Sequence, residues 1–335
     1  MILEKDSSIL GYPGEKSKPL DADHHNMCKY ESPQDPNYVA VRNTLQSLIA
    51  KIVSTDTPNV VTSVHGDLKF LRCSLGITEM PDTDYIFFRD QWSEGTCHWL
   101  LDEESYTDWL GPPTPTSSFV WLFGGAASGK SVLSSFIINN LVENRLSCQY
   151  FFVRFGDNGK RTLSLLLRSI AYQIALDRPE LLKRIRNLQD QGTDFETASP
   201  RTIWERVFKG IIFNIEGDKP LYWIIDGLDE ADDPRAVMKL LSEVHRSSVP
   251  IRILFMSRET AEISASFRKL PPELGLRCIN IEGHGEDLSY YVQQELALSG
   301  DDAFREYVSR TIVRESQNNF LVSAVYLDSL AGGIS

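Results

Sequence analysis

Residues 119–141, FVWLFGGAASGKSVLSSFIINNL, constrain this chain more than any other stretch. An apolar run, Phe119-Val120-Trp121-Leu122-Phe123, passes into Gly124-Gly125-Ala126-Ala127-Ser128-Gly129-Lys130-Ser131. Val132, Leu133, Phe136, Ile137 and Leu141 then follow at helical spacing. Gly124-x4-Gly129-Lys130-Ser131 fits the pattern G-x-x-x-x-G-K-[ST]. A loop of this kind turns successive backbone N–H groups inward around a polyphosphate, and side chains would obstruct that approach. It feeds a helix N-terminus, whose unpaired N–H groups and positive dipole end favour an anion. Lys130 adds a point charge for the β and γ phosphates, and the Ser131 hydroxyl is a ligand for Mg²⁺. The expected strand before the loop and apolar helix after it supply the context that the pattern requires.

A second stretch supplies the partner chemistry. In Leu221–Glu230, LYWIIDGLDE, four apolar residues after Leu221 carry the chain through a sheet and deliver Asp226 at the strand's C-terminal tip. Ligands of open α/β folds sit at that tip. A carboxylate there can hold Mg²⁺ through its waters and complement Ser131. Gly227 leaves room beside it. Asp229 and Glu230 follow in the turn, where a carboxylate can orient or deprotonate water. Ser257-Arg258 directly follows a further apolar run, which puts Arg258 on the same sheet edge as a cation for the γ-phosphate.

The rest of the chain fits an α/β fold with a mostly parallel sheet covered by helices. The apolar runs at 119–123, 148–153, 221–226, 251–256 and 276–281 are continuous rather than alternating, as in strands buried on both faces. Helices are expected over 163–176, 179–188, 200–213 and 234–245, and the stretch from 285 to 331 reads as helical throughout. Before the sheet, 37–53 reads as an amphipathic helix capped by Asn37, and 64–75 as a second helix. Met80–Asp84 reads as a loop. Gly111-Pro112-Pro113-Thr114-Pro115 stops any regular element and is the expected domain boundary.

Composition excludes several function classes. Across 335 residues the net charge is −12, which argues against nucleic acid and anionic membranes as partners. No apolar run approaches the roughly 18 residues of a membrane span, and MILEKDSSIL lacks a signal-peptide core. Five cysteines without a CxxC pair read as reduced thiols of a cytoplasmic protein. His24 and His25 lie among turn-forming residues and read as a surface turn.

These residues resemble a known family. The phosphate loop, the LYWIIDGLDEADD cluster, the FMSRET segment and the lead-in CHWLLDEESYTDWL are similar to the NACHT domains of the STAND class of P-loop NTPases. The resemblance is to the nephrocystin-like N-terminal type found in fungal NLR-like proteins, and it covers about residues 92–335. It implies ATP or GTP with Mg²⁺ as cofactors and a role in signalling or self/non-self recognition. The implied nucleotide-binding residues are Gly124, Gly125, Ala126, Ala127, Ser128, Gly129, Lys130, Ser131 and Val132. Ser131 and Asp226 would hold the metal, Asp229 and Glu230 would be the catalytic acidic pair, and Arg258 would be the sensor arginine. Asn319-Phe320-Leu321 resembles the segment that packs in the helical subdomain behind the nucleotide fold. Homo-oligomers or other signalling proteins are the implied partners.

The implied organisation is a linker or hydrolase-tail remnant at 1–36, a helical segment at 37–110, the nucleotide-binding domain at 117–282 and a truncated helical subdomain at 283–335. One departure stands out: Ala127 occupies a position where the family usually has glycine. If that position needs a positive φ, alanine costs about 1 kcal/mol. Two readings stay open at this point, a slow nucleotide-hydrolysing switch and a scaffold that holds nucleotide without turning it over. A small-molecule kinase on the same fold suits the D-G-L-D-E turn and the C-terminal helices poorly.

Overall fold

The computed structural model describes residues 41–42, 69–111, 117–157, 159–216, 219–283, 286–296, 301–317 and 319–332. The chain divides into two compact units, Met1–Asp67 and Leu68–Ser335. In the first, residues 41–42 are helical. The expectations for 1–36, for His24 and His25, for the rest of the 37–53 helix and for Pro112–Pro115 lie outside the described residues.

The second unit runs in the following order. Residues 69–74 are helical, and α1 (Asp82–Arg89) and α2 (Glu104–Leu110) follow. Then come β1 (Ser118–Phe123), α3 (Lys130–Glu143), β2 (Cys148–Phe152), α4 (Leu163–Asp177), α5 (Pro179–Asp190) and α6 (Pro200–Ile203). β3 (Leu221–Asp226), α7 (Pro234–Leu241), β4 (Ile251–Ser257), α8 (Ala261–Phe267) and β5 (Arg277–Asn280) complete the sheet region. The chain continues through α9 (Glu286–Glu295), α10 (Asp302–Ser316) and α11 (Phe320–Gly332).

The five-stranded sheet has the order β2-β3-β4-β1-β5. Its strand pairs are all parallel. β3 and β4 are buried along their whole length, which is why their sequences run apolar without alternation. Their side chains still divide by the two-residue period of a strand. Phe119, Trp121, Trp223, Ile225, Ile253 and Phe255 enter one core with α4, α5, α7 and α8. Val120, Leu122, Tyr222, Ile224, Leu254 and Met256 enter the other with α2 and α3. Parallel strands then all point their C-terminal ends to one edge, where the loops after β1, β2, β3 and β4 gather.

Four differences from the sequence reading have physical causes. Met80–Asp84 is not a loop throughout, because α1 begins at Asp82. Pro81 precedes it and Asp82 and Asp84 sit in its first turn, where their charges suit the helix dipole. Ala261–Phe267 forms a helix that its weakly periodic sequence does not announce, started by the Thr260 side chain accepting from the Ile263 N–H. The helix expected over 200–213 is instead α6, a π-helical stretch at Trp204–Lys209 and a 3-10 turn at Ile212–Asn214. That winding stacks Trp204 on Phe208 at 4.8 Å and sets Phe213 edge-on to it at 5.3 Å. The helix over 234–245 stops at Leu241 and tightens to a 3-10 turn.

A buried cation fastens α2 to the sheet. Arg252 of β4 is 2% exposed. Its Nη1 donates to the carbonyls of Trp109 at 2.5 Å and Gly111 at 2.8 Å, and to the Tyr222 hydroxyl at 3.3 Å. These carbonyls end α2, so the guanidinium sits at the negative pole of the helix. Arg252→Met is expected to lower the unfolding free energy by about 2–3 kcal/mol, since it strands buried carbonyls. Urea unfolding would show a lower midpoint at unchanged slope; an unchanged midpoint would contradict this account.

Candidate functional site

β1 is buried, so the loop that leaves it at Gly124 is anchored at the sheet's C-terminal edge. The loop closes on itself before α3 starts. Ser128 Oγ donates to the Gly125 carbonyl at 2.9 Å. Lys130 Nζ donates to the Gly124 carbonyl at 3.1 Å, to the Ser128 hydroxyl at 3.3 Å and, most closely, to the Gly125 carbonyl. Burial pulls the Lys130 ammonium below its ordinary value, against the raising fields of Asp226 and Asp229. Ala127 has φ +54°, in the left-handed region. Alanine therefore does stand where the backbone favours glycine. The Ala127 carbonyl accepts from the Phe320 N–H at 3.0 Å, which ties the start of α11 to the loop.

Asp226 is the meeting point of sheet and helix. It ends β3 and is 5% exposed. Ser131 Oγ donates to its Oδ2 at 2.6 Å and Ser134 Oγ to its Oδ1 at 3.0 Å, both from the first turns of α3. Burial pushes the carboxyl up to about 6; the two serine hydrogen bonds and Lys130 oppose that rise and Glu230 adds to it. Gly227 follows at φ +72°, and a Cβ there would meet the Val153 carbonyl at 2.6 Å. Only glycine lets the chain turn here against the end of β2.

The acidic turn is held from two sides. Both Asp229 oxygens accept from Arg258, Oδ1 from its backbone N–H at 3.0 Å and Oδ2 from Nε at 2.6 Å. Glu230 Oε2 accepts from the Phe155 N–H at 2.7 Å. Arg161 Nε donates to the Glu230 carbonyl at 3.2 Å and pairs with Asp232 at 3.2 Å.

These contacts bring Lys130, Ser131, Asp226, Asp229, Glu230 and Arg258 around one cavity of about 500 Å³. Ala126, Ala127 and Ser128 of the loop also line it. Gly125, Ala126, Ser128 and Gly129 line a second cavity of about 220 Å³, with Cys97, Trp99, Glu282, Asn319 and Phe320. Gly124 underlies the loop through its contacts with Lys130. Val132 lines neither of these two cavities.

Some site residues escaped the sequence reading. Arg154, Phe155 and Phe88 line the larger cavity. Glu282, just past β5, accepts from the Gly125 N–H at 2.7 Å through Oε1. Asp287 Oδ2 accepts from the Cys97 N–H at 2.9 Å and from Trp99 Nε1 at 3.0 Å, binding the wall of the smaller cavity to α9. The signal for Arg154 was its place directly after an apolar strand, the same signal that singled out Arg258.

Residues 95–258, a little under half of the chain, match the family described as Nephrocystin 3, N-terminal. No curated protein matches the chain. A structure of Drosophila ORC bound to DNA is similar at 14% identity and a TM-score of 0.42, over 78% of this chain and 59% of that one. The Aeropyrum pernix ORC1 protein in complex with DNA is similar at 11% identity and a TM-score of 0.39, over 65% of this chain and 55% of that one. The chain thus spans less than two thirds of these proteins' length. One expectation is corrected here: net charge does not argue nucleic acid away as a partner class, and the two similar structures are of proteins bound to DNA. A net charge of −12 sums the whole surface and does not report any one patch. Among the described residues, no helix is long and apolar enough to cross a membrane.

Two outcomes follow from this geometry. Ala127→Gly is expected to raise the unfolding free energy by about 1 kcal/mol by removing left-handed strain; a loss of stability would contradict it. The folded value of Asp226, about 6, lies above the unfolded carboxylate value of 3.8. The folded protein therefore holds this proton more tightly. The stability so gained is complete below about pH 4 and is lost as pH rises through about 6. Asp226→Asn should remove that loss, so stability relative to wild type should rise by on the order of 3 kcal/mol between pH 4 and pH 8. Parallel pH profiles would contradict it.

Proposed function

We propose that this chain, an α/β protein of P-loop NTPase fold, is a NACHT-type module that binds ATP or GTP with Mg²⁺ and hydrolyses it slowly. On this reading the nucleotide state is a conformational switch in signalling or fungal self/non-self recognition, in the cytoplasm. The observation that carries it is the convergence of Lys130, Ser131, Asp226, Glu230 and Arg258 on one cavity beside the phosphate loop. The functional parts are a linker or hydrolase-tail remnant at 1–36, a helical segment at 37–110, the nucleotide fold at 117–282 and a helical subdomain at 283–335.

The residues fit the divalent cation. Ser131 Oγ and the Asp226 carboxylate are hard oxygen donors 2.6 Å apart, the set a cation such as Mg²⁺ takes. When bound, Mg²⁺ supplies neutralisation of charge on the phosphate oxygens. Lys130 would leave the loop carbonyls for the β and γ phosphates, and the loop N–H groups would hold the rest. The smaller cavity, walled by Trp99, Leu133 and Phe320, suits the nucleoside. Both Asp229 oxygens are taken by Arg258, which supports Glu230 rather than Asp229 as the group that orients water. Arg258 on Asp229 stands as a cation for the terminal phosphate.

A second reading, a scaffold that holds nucleotide without turnover, is favoured by Ala127 at φ +54°, because a strained loop binds less well. Turnover and binding in variants separate the two. Lys130→Ala is expected to abolish binding of ATPγS and GTPγS. Glu230→Gln should retain binding and slow phosphate release roughly a hundredfold or more. Unchanged affinity in Lys130→Ala would overturn the nucleotide reading. Binding without phosphate release in the wild type would favour the scaffold.

A further inference from the structure

Each cation at the larger cavity is lodged on a group of the protein itself. Lys130 sits on loop carbonyls and Arg258 on Asp229. Arg154 differs in where its partner lies. β2 pairs with β3 so that Phe152 stands opposite Asp226, and the Val153 N–H donates to the Asp226 carbonyl at 2.9 Å. Paired residues of parallel strands share a face, and the period of two returns Arg154 to the face of Asp226 and α3. It therefore lines the cavity with Lys130, Asp226 and Arg258.

The Arg154 side chain turns toward α1. Nη2 pairs with Asp84 Oδ1 at 2.6 Å, and the guanidinium lies over the ring of Phe88 at 4.8 Å and that of Phe87 at 5.5 Å. Its Nε is buried and makes no hydrogen bond. Asp84 is nearly buried and holds a second cation, Lys160, through Oδ2 at 2.7 Å. Lys160 also pairs with Glu79 at 2.8 Å.

We propose that Arg154 is a further cation for the terminal phosphate of a bound nucleoside triphosphate, held on α1 by Asp84 and drawn off it by that phosphate. The inference rests on the nucleotide-binding reading above. The exchange is chemically reasonable on three counts. A terminal phosphate carries more charge than one carboxylate and offers several oxygens to a forked guanidinium. The unbonded Nε gains a partner. Asp84 does not become a lone buried charge, because Lys160 stays on it, and a stranded buried charge is what makes breaking such pairs costly. Arg258 stays within the nucleotide fold, on Asp229. Arg154 exchanges away from α1, so a triphosphate loosens α1 and a diphosphate does not.

The test titrates wild type, Arg154→Met and Asp84→Asn with ATPγS, GTPγS, ADP and GDP in Mg²⁺. It also follows amide hydrogen exchange over 82–89. Arg154→Met should lose roughly ten- to a hundredfold in triphosphate affinity and keep its diphosphate affinity. Asp84→Asn should gain triphosphate affinity, since the competing carboxylate is gone. Exchange over 82–89 should quicken with triphosphate in the wild type and not in Arg154→Met. Equal losses for both nucleotide classes, or weaker triphosphate binding in Asp84→Asn, would show the network to be a structural staple and overturn the proposal. Wild type that binds no nucleotide would overturn the underlying reading as well, and the two failures are thereby told apart.

Discussion

The structure depends on one buried carboxylate. Asp226 leaves the tip of β3 and accepts from Ser131 and Ser134, so it joins the central sheet to the first turns of α3. The same turns begin the helix that the phosphate loop feeds. Burying an acid this deeply is costly, which is why its proton is held up to about 6. Opposite charge brought beside it offsets that cost. On the proposed reading, a cation with polyphosphate in the cavity would bring that opposite charge.

Around that point the other contacts set how the parts communicate. Arg258 fixes the acidic turn, Phe320 reaches the loop through the Ala127 carbonyl, and Glu282 reaches it through the Gly125 N–H. Asp287 ties the 97–99 turn to α9. Of the flanking helices, α11 thus touches the phosphate loop itself, whereas α2 is fastened to the sheet. A change in the loop has a short physical path to α11 and to the turn after β5.

Much of this was legible before any coordinates. The strands were readable because a sheet covered on both faces leaves unbroken apolar runs, and LYWIID at 221–226 matches its strand residue for residue. Lys130, Ser131 and Asp226 were readable because their chemistry is concentrated in two short motifs. Positive φ at Ala127 was readable as a condition: a glycine position occupied by alanine. α1 was hidden by Pro81 and two aspartates, which suit a turn as well as a helix start. The π-helical winding at 204–209 depends on how Trp204, Phe208 and Phe213 pack, which no local pattern encodes. Glu282 needed the strand order, since its approach to the loop follows from β5 lying beside β1, and Arg154, although it follows an apolar strand, needed β2 beside β3 to be placed at the site. Net charge misled about nucleic acid because a sum carries no positions.

The central claim is that the phosphate loop and Asp226 form one site for a triphosphate with its cation. It is tested most directly by isothermal titration of the purified chain with a non-hydrolysable triphosphate, run once with Mg²⁺ and once with chelator. The account predicts saturable binding of one nucleotide per chain that weakens strongly when Mg²⁺ is removed. Equal affinity in both conditions would detach Asp226 and Ser131 from the cation, and absence of binding in both would contradict the site altogether.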